Sequence, residues 1–223
     1  MALELLLWML GAYLVAGIPV GLLIGLARGV DLREIGSGNI GATNAVRALG
    51  RRWGLVVFAL DVIKAAIPVA AAVHRFDAEP AGPTLIAVIS LAAIIGHVFP
   101  IYLRFAGGKG VSCAFGVFLV LAPKAALLGL LVYLQTLWLT RISATGSLTA
   151  ALVIVGATWL DPSVPFPYVV LAGTGLAGDD QHALEVLAVA LPDQPGEPGR
   201  EHHIRKRHAR IEPGRADDHQ RGG

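Results

Sequence analysis

GSGNIGATNAVRALGRR runs from Gly36 to Arg52, and Gly36, Gly38 and Gly41 carry the G-x-G-x-x-G spacing of a dinucleotide-binding loop. Such a loop follows a short β-strand and opens the helix of a βαβ unit. The flanks here are different. On the N-terminal side Leu5 to Ala27 is apolar over about 23 residues, long enough to cross ~30 Å of hydrocarbon. A polar segment, VDLREI, intervenes, and Trp53 to Val73 is a second apolar run on the C-terminal side. A glycine-rich basic loop between two membrane helices, Arg28 to Arg52, excludes the dinucleotide fold. A second glycine cluster, GGKG at Gly107 to Gly110, fails as a nucleotide P-loop, because Leu103 occupies the first glycine position and Gly110 the Ser/Thr position.

The rest of the chain agrees with a membrane setting. A mean hydropathy of +0.64 with 15% charged residues over 223 residues is far from a soluble average. The charges lie in short clusters between long apolar stretches, which predicts one all-α polytopic integral membrane domain. The N-terminal run is too long for a signal peptide and lacks a basic leader, so it is expected as an uncleaved span. The single cysteine, Cys113, permits no intrachain disulfide and is expected to be a small packing residue.

Thr84 to Leu103 is the third expected span. Val111 to Leu139 is either one long helix or two short ones broken at Ala122-Pro123-Lys124. Proline breaks helices and a lysine at mid-membrane is costly, so two helices are favoured. Leu148 to Leu160 and a final run from Tyr168, interrupted at Gly178-Asp179-Asp180, complete seven spans. The loop after the first span carries Arg28, Arg33, Arg47, Arg51 and Arg52, and the loop after the third carries Arg104 and Lys109. The loop between them sets one Arg against Asp77 and Glu79. Positive-inside counting then places the N-terminus outside and the motif loops on the cytoplasmic face. Residues 178–223 are rich in Pro, Gly, Arg and His without an apolar period, and Asp179, Asp180 and Glu185 would fall inside a seventh span. The expected division is a transmembrane domain over 1–177 and an atypical tail over 178–223, with a reading frame lost near residue 178. His202, His203 and His208 read as part of that solvated tail rather than as a metal site.

The polar residues suggest anion chemistry. Successive glycines let backbone N–H groups approach an anion without any βαβ context, though the same glycines also serve tight turns and close helix packing. Lys109 adds a full charge just before a helix expected to start at Val111, whose N-terminal dipole favours the same anion. Ser37, Asn39, Thr43 and Asn44 are short donors for a phosphate or a glycerol hydroxyl, or else turn residues. Arg47 suits a phosphate fork or a membrane anchor, and Arg51 and Arg52 suit anchors. His97 is a proton carrier, an anion donor or a packed helix histidine. Asp61 and Lys64, at i and i+3 inside the second span, are expected to pair and could support the site. Ser143 and Ser147 either cap the following helix or touch substrate.

Taken in order between membrane spans, GSGNIGATNAVRALG, LDVIKAAIP, GHVFPIYLRFAGGKGV and TRISATGSL resemble the bacterial acyl-phosphate:glycerol-3-phosphate acyltransferases of the PlsY type, over roughly residues 8–177. The third motif is the loosest match, and the family's closing Asn- and Arg-rich segment has no counterpart after Ala177. The resemblance implies a multi-pass enzyme of the bacterial inner membrane in phospholipid biosynthesis. It would move a fatty acyl group from acyl phosphate to the 1-hydroxyl of glycerol 3-phosphate, giving lysophosphatidic acid and phosphate. Implied partners are these two substrates and the bilayer, with no cofactor, metal or nucleic acid. By the same resemblance Ser37, Arg47, His97 and Lys109 are catalytic. The resemblance also puts Gly107, Gly108, Gly110 and Ser147 in substrate binding; by residue type and placement Gly36, Gly38, Asn39, Thr43, Asn44 and Ser143 are expected to join them, with Asp61 and Lys64 in support. The competing expectation is a transporter of a phosphorylated solute, which would use the same anion loops and internal inverted repeats.

Overall fold

The computed structural model describes residues 1–177, so the expectations for the segment from residue 178 onward lie outside the described residues. Among the described residues all regular structure is helical: α1 (Ala2–Gly17), α2 (Val20–Ala27), α3 (Ala42–Leu49), α4 (Arg51–Phe76), α5 (Gly82–Val98), α6 (Val111–Leu121), α7 (Pro123–Thr140), α8 (Ser143–Leu160) and α9 (Phe166–Ala177). The strand that a dinucleotide loop needs is absent from this part of the chain. Among the described residues four segments are long and apolar enough to cross a membrane: Ala2–Ala27, Arg51–Phe76, Gly82–Leu103 and Ser143–Leu160. Val111–Leu121 is a shorter apolar helix.

The main core is built from small and β-branched side chains of α1, α4, α5, α6 and α9, among them Ala16, Ala65, Val69, Ile86, Ile89 and Val117. Leucines such as Leu6, Leu55 and Leu131 face outward, the inverse of a water-soluble bundle and the pattern expected where lipid surrounds the protein.

Four boundaries differ from expectation. The first span is not continuous: Pro19 lacks an N–H and fixes its φ, so the helix stops at Gly17 and resumes at Val20. The segment after it is not all loop. It contains a 3₁₀ turn at Leu32–Glu34 and the amphipathic helix α3. Leu32, Ala45 and Val57 form a second small core there, with Ile24, Val30, Ala48 and Leu49 packed around it, and this burial holds an eight-residue helix that would not persist alone. The third span is not one helix: α5 ends at Val98, because Pro100 forbids continuation, and a 3₁₀ turn at Ile101–Leu103 completes the segment. TRISATGS is mostly the first turns of α8 rather than a loop.

The break in the 111–139 run falls at Ala122, between α6 and α7, with Pro123 at the first helical position of α7, where its missing N–H costs nothing. Lys124 is exposed beside it.

Candidate active site: a cleft between two glycine-rich loops

The first loop is shaped by Asn44. This buried side chain, in the first turn of α3, reaches back under Gly36–Asn39. Its Nδ2 donates to the carbonyls of Leu32 (2.9 Å), Ile35 (3.0 Å) and Asn39 (2.8 Å), and its Oδ1 accepts the Ser37 N–H at 3.2 Å. Gly36 and Gly38 sit at φ +59° and +72°, in the left-handed region that glycine enters without strain. Asn39 Oδ1 accepts the Gly41 N–H at 2.8 Å, which closes the turn into α3. Asn44 was a candidate substrate donor by type; its polar atoms are committed to the loop itself, so it holds the backbone that faces the cleft. Ser37 and Arg47 are exposed, and the Arg47 Cδ lies 3.6 Å from where a Gly36 side chain would begin.

The second loop is shaped by backbone pairing. The Gly107 and Gly108 amides donate to the carbonyls of Val98 and His97, each at 3.1 Å. These two N–H groups point inward to the end of α5, contrary to the expected nest of outward amides. What the loop presents outward is the exposed Lys109 side chain and the start of α6 at Val111. Gly108 lies directly on the His97 imidazole, where a Cβ would collide with Nε2.

His97 is 4% exposed and does not line the cleft. Its position, beside the second loop as expected, favours the packed-histidine reading among the three: the imidazole lies under Gly108, and its Nδ1 has no hydrogen-bond partner among the described residues. Asp61 Oδ1 is 3.8 Å from that nitrogen and 2.8 Å from Lys64 Nζ, so the expected Asp61–Lys64 pair forms.

The two loops meet. Arg33, Ser37, Gly38, Asn39 and Ile40 on one side face Ala106, Gly107 and Lys109 on the other, across a cleft of about 400 Å³. Arg33 is held by Asp31 at 2.6 Å. Hydrogen bonding from Arg33 lowers the Asp31 carboxyl to about 2, so the pair stays charged at neutral pH.

The third motif joins from the side. Thr43 Oγ1 and Ser143 Oγ are 3.1 Å apart, and Ser143 Oγ is 3.0 Å from the Tyr133 hydroxyl. Neither serine caps α8, contrary to one expectation. The helix has no side-chain cap; Thr140 Oγ1 accepts the Ile142 N–H just before it at 3.2 Å, and Ser147 donates back to the Ser143 carbonyl at 3.1 Å. Ser147 is buried, and both serines stand outside the cleft lining, as do Thr43 and Arg47 on α3.

Sequence reasoning missed Arg33 as a cleft residue, although it was counted among the loop's charges. It also missed Tyr133, and Ser112, whose Oγ donates to Asp61 Oδ2 at 3.4 Å; both sit inside apolar helical runs with no local signal.

A family model described as glycerol-3-phosphate acyltransferase matches residues 6–185. The chain belongs to the glycerol-3-phosphate acyltransferase family. It is 48% identical over 149 residues to the glycerol-3-phosphate acyltransferase of Myxococcus xanthus (strain DK1622), covering 66% of this chain and 76% of that one. It is 41% identical over 141 residues to the Aquifex aeolicus (strain VF5) enzyme, covering 63% and 72%. Among solved structures it superposes on PlsY, an integral membrane glycerol 3-phosphate acyltransferase, in its glycerol 3-phosphate form. The TM-score is 0.78 at 32% identity, over 90% of this chain and 98% of that one. A lysophosphatidic acid form of the same protein gives a TM-score of 0.75 at 33% identity, over 83% and 90%. As a family member this chain is a multi-pass membrane acyltransferase, and membership does not favour the transporter reading.

Proposed function

We propose that the cleft between the two glycine-rich loops transfers a fatty acyl group from acyl phosphate to the 1-hydroxyl of glycerol 3-phosphate, releasing lysophosphatidic acid and phosphate. The observation that carries this reading is the convergence of Ser37, Gly38, Asn39 and Lys109 on one cleft. Both substrates bear phosphate, so a site for them needs two anion-facing walls. Solved relatives with glycerol 3-phosphate and with lysophosphatidic acid support this pairing.

Acyl phosphate is already activated, so no covalent enzyme intermediate is required. The protein's work is orientation, charge neutralisation and stabilisation of the developing oxyanion. Lys109 supplies a point charge and Arg47 a planar fork from the rim. Ser37, on the exposed turn, supplies a hydroxyl donor in the cleft lining. With the His97 imidazole under Gly108, the hydroxyl proton passes to a phosphate oxygen of the substrate rather than to the histidine.

In the bilayer the chain has seven spans, with the N-terminus outside and the motif loops on the cytoplasmic face of the bacterial inner membrane. The loop charges support this orientation. Residues 1–177 form the catalytic domain, and 178–223 diverge through a frame lost near residue 178. The coding DNA tests that: another frame must encode an apolar run followed by an Asn- and Arg-rich motif.

Purified protein with palmitoyl phosphate and glycerol 3-phosphate tests the activity. Glycerol 3-phosphate-dependent release of phosphate from palmitoyl phosphate, with no lysophosphatidic acid formed when acyl-CoA is the donor, is the expected result. Turnover with acyl-CoA alone refutes the assignment of the donor.

A further inference from the structure

Beneath the cleft lies an ion pair that the acyl-transfer chemistry does not use. Asp61 and Lys64, one turn apart on α4, are 2% and 7% exposed. Burying two charges is costly, and an apolar pair of similar size often serves stability equally well. Their other contacts suggest a different use.

Lys64 Nζ donates to the carbonyl of Ile18 at 2.7 Å. Ile18 is where the first span breaks, and α2 begins two residues later. Gly21 of α2 lies against the Ile40 carbonyl so closely that a Cβ there would collide. Ile40 belongs to the first wall of the cleft.

Asp61 serves the opposite wall. Its Oδ2 accepts from Ser112 Oγ at 3.4 Å, in the first turn of α6 just after Gly110. Its Oδ1 lies 3.8 Å from Nδ1 of His97, the ring on which Gly108 rests. Gly116, one turn beyond Ser112, packs on the Val62 backbone and keeps α6 against this part of α4.

We propose that Asp61 and Lys64 are positioning residues that set the separation of the two cleft walls. Lys64 fixes the start of α2 and through it the Ile40 wall. Asp61 fixes the start of α6 and the imidazole floor, and through them the Gly107–Lys109 wall. Both anchors sit on a single turn of α4, so the gap is set by a rigid element. The inference rests on the acyl-transfer reading, because the gap matters only if two phosphate-bearing substrates must be held with hydroxyl and acyl carbon in contact. With the pair removed, each wall still binds its own phosphate and the alignment between them is lost. The signature is therefore a fall in kcat at nearly constant KM.

The test is the double variant Asp61→Asn/Lys64→Met, which removes both charges together and leaves neither unpaired. Wild-type protein is assayed first with palmitoyl phosphate and glycerol 3-phosphate; no turnover there overturns the acyl-transfer reading and this inference with it. With wild type active and the double variant sharing its Tm, kcat is expected to fall roughly 100-fold, the scale of a ~1 Å misplacement, with KM for glycerol 3-phosphate within about threefold. A folded double variant with wild-type kcat overturns the proposal while leaving the acyl-transfer reading intact. Should the double variant unfold, Ser112→Ala decides. A smaller kcat loss at constant KM supports the tether, and unchanged kcat overturns it.

Discussion

The two loops that face each other across the cleft are built in opposite ways. The 36–41 loop takes its shape from one side chain, Asn44, whose amide joins carbonyls from three separate residues. The 107–110 loop takes its shape from backbone pairing with the end of α5 and from an imidazole floor. A loop shaped by a side chain fails when that side chain is cut. A loop shaped by backbone fails when something is added beneath it. The contrast also separates polar residues that serve the fold from those that face substrate.

Truncation of the first loop's centre is the sharper break. Asn44→Ala is expected to destabilise the protein by on the order of 3 kcal/mol, since a buried group stripped of its partner costs ~1–3 kcal/mol and several are stripped here. Thermal unfolding in detergent reads the Tm drop, and KM for glycerol 3-phosphate should rise in the same variant. An unchanged Tm would show that the loop holds its shape without this amide.

Addition under the second loop comes next. Gly108→Ala forces a methyl onto the His97 ring, and overpacking of this kind costs ~1–3 kcal/mol along with most activity. Removing the floor with His97→Ala should restore part of that activity, with a coupling energy of about 0.5–3 kcal/mol in a double-mutant cycle. A double variant no better than Gly108→Ala means that the loop does not rest on the imidazole.

The smallest effect is at the rim. Asp31 neutralises Arg33, and its folded-state carboxyl, near 2, is depressed below the ordinary 3.8. Whatever this exposed pair contributes is therefore present above 3.8 and lost only as pH falls through about 2. The pair should leave no titration in the activity profile near neutral pH. Asp31→Asn should slightly lower KM for both phosphates by releasing a cation at the cleft mouth, and high salt should erase the difference.

Much of this was legible in the chain. The flanking apolar runs excluded a dinucleotide fold, Pro123-Lys124 marked the α6–α7 break, and the spacing of Asp61 and Lys64 announced their pairing. What escaped depends on contacts distant in sequence. Helix α3 is stabilised by Leu32 and Val57 rather than by its own length. The roles of Asn44 and His97 follow from which carbonyl or glycine lies next to them, and residue type alone left those roles open. The break at Pro19 went unread, because the hydropathy of Leu5 to Ala27 is unbroken across it. Tyr133 and Ser112 matter through partners on other helices, which no local pattern reports.

If the two loops form one anion-holding site, Lys109 meets a substrate phosphate there. Glycerol 3-phosphate-dependent phosphate release by Lys109→Ala in membranes, normalised to folded protein, tests it most directly. Turnover is expected to be abolished while the variant keeps the wild-type Tm. Normal turnover from well-folded Lys109→Ala would contradict it.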